Sequence, residues 1–170
     1  MKRDHGGNMI AAGIIGFILT GSILAQTTAS SSPSPKEAPM TNHATGPFEV
    51  KMIPQDDKSI EGLSRILLDK QYHGDLEGTA QGHMLNNGVS SAGSGVYVAM
   101  EKFTGTLKGR SGTFLLHHTG VMTRGTPQLN ITVVPDSGTG QLTGISGTMS
   151  IKVADKKHTY DFEYILPTTQ

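Results

Sequence analysis

The chain has 170 residues, with 14 Lys and Arg balanced by 14 Asp and Glu, 22 Gly, 8 Pro, no Cys and no Trp. That length suits one domain, and zero net charge speaks against nucleic acid or an anionic membrane surface as a general partner. The lack of Cys excludes disulfides, thiol catalysis and cysteine-ligated metal, while Gly at nearly twice its usual frequency of about 7% points to a turn-rich β protein.

In chain order, residues 1–25 read as a secretory signal. Lys2 and Arg3 form a positive start, diluted by Asp4, and Met9–Leu24 is apolar apart from Gly, Thr and Ser. The run is 16 residues and holds Gly13, Gly16 and Gly21, whereas a membrane-spanning helix needs about 20. Cleavage after Ala25, or at Ala29 as a second position, is therefore expected, with an uncleaved anchor as the alternative, giving an exported protein with no membrane partner beyond this segment. Without a following Cys, lipid attachment of the bacterial lipoprotein type is excluded. Losing Lys2, Arg3 and Asp4 leaves the remainder near neutral. Residues 26–46 (QTTASSSPSPKEAPMTNHATG) carry almost no apolar content and read as a disordered linker, because they cannot offset the entropy of ordering. Residues 47–170 form the expected domain.

Helical periodicity is scarce in that domain. Alternation bounded by Gly predicts eight strands: Phe48–Ile53, Arg65–Tyr72, Ala80–Leu85, Val96–Thr104, Thr113–Thr119, Leu129–Val134, Thr148–Val153 and Thr159–Leu166. Residues 59–68 (SIEGLSRILL) are also compatible with an opening helical turn. A phrase of the form G-x-L-x-G recurs at Gly74–Gly78, Gly105–Gly109 and Gly140–Gly144. Each copy reads as a sharp corner whose central Leu turns inward as a plug. Eight antiparallel strands are enough to close a small barrel whose interior is filled or holds one small ligand; an open two-sheet sandwich is the competing architecture.

Period-two alternation sorts the faces. Tyr97, Ala99, Glu101 and Phe103 share one face of the fourth strand, and Val96, Val98, Met100 and Lys102 the other. The second face is also apolar at Val96, Val98 and Met100, so it needs cover from a neighbouring element or from a second copy in a homo-oligomer. Phe114, Leu116 and His118 lie together on the fifth strand, and Tyr160, Phe162, Tyr164 and Leu166 on the last. The aromatic faces are taken as the interior.

Several of these phrases resemble the bacterial family known as domain of unknown function 3224. They are Gly74–Gly78 (GDLEG), Tyr97–Phe114 (YVAMEKFTGTLKGRSGTF), His118–Gly120 (HTG), Val134–Ile145 (VPDSGTGQLTGI) and His158–Tyr164 (HTYDFEY). The resemblance runs from about Gly46 to Leu166. It implies a fold similar to the allene oxide cyclase barrel, more distantly similar to plant dirigent proteins. It implies no activity. The usual family member looks like a bare cytoplasmic domain, from which the leader and linker here depart.

Glu101, a carboxylate on an aromatic face, is the sharpest oddity. A two-residue loop at Gly109–Arg110 would set it directly opposite His118, a loop longer by two would set the pair diagonally on one face, and a loop longer by one would offer His117 instead. Burial would raise the Glu101 pKa and a protonated His118 would lower it again, so the pair suits either a mutually satisfied polar contact or proton transfer in an isomerase or cyclase. Tyr97, Phe103, Tyr160 and Tyr164 are the expected ligand-binding residues around it, with a small, largely apolar molecule as the partner. A third reading is a filled structural barrel that oligomerises. No cofactor is implied. Neighbouring His117 and His118 point to opposite faces and cannot chelate one metal, and His83 and His158 supply no ligand spacing. The 136–140 loop (DSGTG) lacks the Lys-Ser/Thr of a phosphate cradle, and Ser111, Ser137 and Ser146 sit in plain Ser-Gly turns.

Overall fold

A computed structural model describes residues 40–56 and 59–167. The signal segment and the first part of the expected linker, through residue 39, lie outside the described residues. Eight strands follow one another in order and close into an antiparallel barrel: β1 (Asn42–Pro54), β2 (Ser64–Tyr72), β3 (Leu76–Asn86), β4 (Gly95–Leu107), β5 (Arg110–Thr123), β6 (Thr126–Val133), β7 (Ser146–Ala154) and β8 (Lys157–Ile165). All eight expected strands are present, and the open sandwich is excluded by the pairing of β1 with β8. No helix among the described residues is long and apolar enough to cross a membrane.

The first strand begins inside the stretch expected to be linker. Asn42 to Gly46 pair with Tyr164 to Tyr160 of β8, and Ala44 is fully buried. Apolar content is a poor guide here, because backbone pairing orders these residues: they supply the hydrogen bonds that would otherwise leave β8 an open edge.

Two-residue turns connect β4–β5 at Lys108–Gly109, β5–β6 at Arg124–Gly125 and β7–β8 at Asp155–Lys156, with positive φ at all six residues. This is the type I′ hairpin, whose twist matches that of the flanking strands and which favours Gly at its second position. The preference corrects the expected register. The loop is Lys108–Gly109 rather than Gly109–Arg110, so Glu101 faces Leu116 and His118 faces Ala99. Glu101 and His118 remain on one face, one step apart diagonally.

The two ends of the barrel differ. One end carries the β2–β3 and β4–β5 turns and the long β6–β7 connection. Here the three repeated leucines, Leu76, Leu107 and Leu142, are each 1% exposed or less. Complete burial of such a side chain is worth about 1.5–3 kcal/mol. Leu142 lies in a single 3-10 turn, Gly140–Leu142, so the third phrase is a folded connection rather than a hairpin. Above the leucines, Phe103, Phe114 and Phe162 pack in series, with ring centroids 5.0 and 5.7 Å apart. The opposite end carries the β1–β2, β3–β4, β5–β6 and β7–β8 loops and is open among the described residues. Toward this end β6 and β7 have parted, their one register pair, Thr132 with Thr148, lying nearer the plug, and the inward positions Met52, Leu129 and Val153 are exposed.

Candidate functional site

Midway along the barrel the apolar core is interrupted by charge. β4 carries Glu101 inward at 1% exposure, β5 carries His118 inward at 3%, and β2 contributes Lys70 at 5%. The Lys70 Nζ lies 2.9 Å from Glu101 Oε1 and 2.8 Å from Oε2. Tyr72 donates its hydroxyl to Glu101 Oε1 at 3.1 Å, and His118 Nε2 stands 3.3 Å from the same oxygen. The ammonium also sits 5.2 Å from the Phe48 ring centroid and 5.8 Å from that of Tyr72. Aromatic faces and carboxylate together replace the water that Lys70 loses.

Burial alone would push the Glu101 carboxyl up. His118 and Lys70 outweigh burial and hold it down at about 2. Glu101 is therefore a carboxylate throughout the physiological range, a fixed counter-charge rather than a group poised near neutrality. Tyr72 moves well upward through its own burial and the charge of Glu101, so its phenol stays protonated and donates.

Of the expected ligand-binding residues, three are built into the packed core. Phe103 is fully enclosed between Tyr72 and Phe114. Tyr164 is buried against Phe162. Tyr160 accepts the Leu76 amide at 2.7 Å and donates to the His73 carbonyl at 3.1 Å, so its hydroxyl ties β8 to the β2–β3 turn. Burial pushes its pKa up to about 12.

Tyr97 stands apart. It is half-buried and lines a pocket of about 330 Å³ at the open end, near the lower limit of the roughly 300–1,000 Å³ usual for small-molecule sites. The inward residues Met84, Asn86, Gly120, Met122, Pro127 and Leu129 share that lining, and Glu101, His118 and Lys70 do not. The Tyr97 ring rests on Gly120, where an added Cβ would lie 2.0 Å from Cε1, so the absence of a side chain at 120 makes room for the ring. A shallow groove on the outer wall, between Thr45, Ser150, Lys152 and Asp161, is lined mostly by polar residues.

Lys70 and Tyr72 escaped the sequence reading. Alternation along β2 puts both on the side of Leu68, but buried lysines are rare and nothing local marks this one. On the outer wall, Val96, Val98 and Met100 stand 47%, 47% and 52% exposed. Among the described residues, no group of three or more His, Cys, Asp or Glu is placed to hold a metal ion.

Fold and site together define a small closed antiparallel barrel, plugged at one end, crossed by a buried ion pair and open at the other end as an apolar mouth. The chain belongs to the family of proteins of unknown function DUF3224, whose model matches residues 44–164. It is similar to a solved protein of unknown function from that family in Shewanella oneidensis MR-1, at 40% identity and a TM-score of 0.71, over 76% of this chain and 100% of the other. No curated protein matches.

Proposed function

We propose that the domain is a binding module that takes one small, largely apolar molecule into the open end of the barrel. The observation that carries this reading is the mouth pocket, walled by Met84, Met122, Leu129 and the ring of Tyr97 above a sealed core. Apolar walls favour such a ligand by releasing water from its surface, and flexible methionines adapt to its outline. The composition of residues 1–25 supports an exported setting for the module. The low pKa of Glu101 and the absence of Glu101 and His118 from the pocket lining favour binding over proton transfer.

The test is uptake of the apolar dye N-phenyl-1-naphthylamine, read by its fluorescence gain. The wild type should bind the dye saturably. Leu129→Trp, which fills the pocket from a half-exposed position, should weaken binding by about tenfold or more, equivalent to about 1.4 kcal/mol, with the thermal midpoint unchanged. No uptake by the wild type, or equal uptake by both proteins, refutes the reading.

A further inference from the structure

We infer that the mouth pocket selects apolar molecules carrying one hydrogen-bond acceptor, such as a ketone, aldehyde or ester carbonyl, and that Tyr97 is the residue that selects them. The inference rests on the binding reading above and adds the chemical class of the ligand.

The polar groups of the pocket carry the argument. Asn86 is already committed, with Nδ2 donating to the Ser64 carbonyl at 3.2 Å and Oδ1 accepting the Gly88 amide at 3.0 Å. Gln128 also lines the pocket, but from an outward position of β6 paired with Val121, at its rim rather than on the inward wall. The Tyr97 hydroxyl has no hydrogen-bond partner among the described residues, yet it is not one of the sealed, unpaired atoms of the core. Tyr72 and Tyr160, by contrast, have their hydroxyls fully engaged inside the protein.

The donor is also oriented and kept in the donating state. The ring lies against Gly120, which limits the swing of the phenol and lowers the entropy lost when it engages a ligand. Burial, and after it the charge of Glu101, raises the Tyr97 pKa, so the hydroxyl keeps its proton. A polar group within an apolar wall discriminates by what it leaves unpaired. A ligand lacking an acceptor strips water from the phenol and returns nothing, whereas a carbonyl replaces the lost hydrogen bond.

Two molecules of nearly equal shape separate these cases: butyrophenone and butylbenzene, each competing against N-phenyl-1-naphthylamine in the wild type and in Tyr97→Phe. The variant keeps the ring on Gly120. It should bind butyrophenone about fivefold more weakly, within the range for one neutral hydrogen bond, and bind butylbenzene no more weakly than the wild type does. In the wild-type complex the infrared carbonyl stretch of bound butyrophenone should fall below its value in hexane, and in Tyr97→Phe the downshift should vanish. Equal weakening of both compounds, or an unshifted carbonyl band in the wild type, overturns the role of Tyr97. Unchanged ketone affinity in the variant does the same. Each of those results leaves pocket binding intact. If neither compound displaces the dye from the wild type, the binding reading itself fails, and this inference with it.

Discussion

The plugged end and the open mouth are made from the same eight strands, yet they solve opposite problems. At the plugged end every inward position meets a partner. Leucines from three distant turns converge, and Asp75 accepts the Thr45 amide at 2.9 Å while its own carbonyl accepts the Lys108 amide at 2.7 Å. The β6–β7 connection also pairs with β5, through the Thr139 amide and the Thr113 carbonyl at 2.8 Å. At the mouth, β6 and β7 stop pairing, and Met52, Leu129 and Val153 are left exposed, with no element above them among the described residues. The contrast teaches that stability and binding are separated along the barrel axis. One end can be packed to crystal-like density, which leaves the other free to stay underfilled.

The largest effect in breaking that division should come from the charge layer between the two ends. Glu101→Ala leaves the Lys70 ammonium buried without its carboxylate and should cost about 3–5 kcal/mol, a large share of a stability of about 5–15 kcal/mol. Urea denaturation measures it. The double variant Lys70→Met, Glu101→Leu should recover most of the loss, because no charge is then stranded. The same pair sets an acid limb. The folded-state pKa of Glu101, about 2, lies below its ordinary 4.5. Its contribution, about 3 kcal/mol, is therefore complete above about pH 4.5 and disappears as the pH falls toward 2. Acid titration of stability should show this limb in the wild type and a flatter one in the double variant.

Next in size is the direct comparison of the ends. Leu107→Ala, in the plug, should lose about 2–5 kcal/mol. Leu129→Ala, 44% exposed at the mouth, should lose about 1 kcal/mol or less. Equal urea midpoints for the two variants would mean that the ends are packed alike. A smaller loss than at Leu107 sharpens the account of the plug. Tyr160→Phe strands the Leu76 amide and should cost about 1–3 kcal/mol, with hydrogen exchange accelerating at Leu76 more than at Gly120.

Much of this was legible beforehand at the level of single strands. Alternation located all eight, and the repeated G-x-L-x-G phrases correctly turn their leucines inward, because a Leu flanked by Gly corners has nowhere else to bury its side chain. The inward placement of Glu101 and His118 followed from the same period of two. What could not be read was their partner. Lys70 is 31 positions from Glu101 in sequence, and only the joint register of β2 with β3 and β3 with β4 brings them together. The pocket was hidden for a related reason: it depends on where β6 leaves β7 and on a ring from β4 lying across a glycine of β5.

By itself, then, the amino-acid order determined which segments are extended, where they turn and which side chains face inward, since these properties arise from neighbours along the chain. The tertiary structure alone decided that the sheet closes through residues as polar as Asn42–Gly46, that a lysine completes the buried carboxylate site and that one end stays unfilled. Those outcomes depend on strand registers accumulated around the whole barrel, where a shift of one residue at a single turn, such as Lys108–Gly109, changes which side chains meet across the next pair of strands.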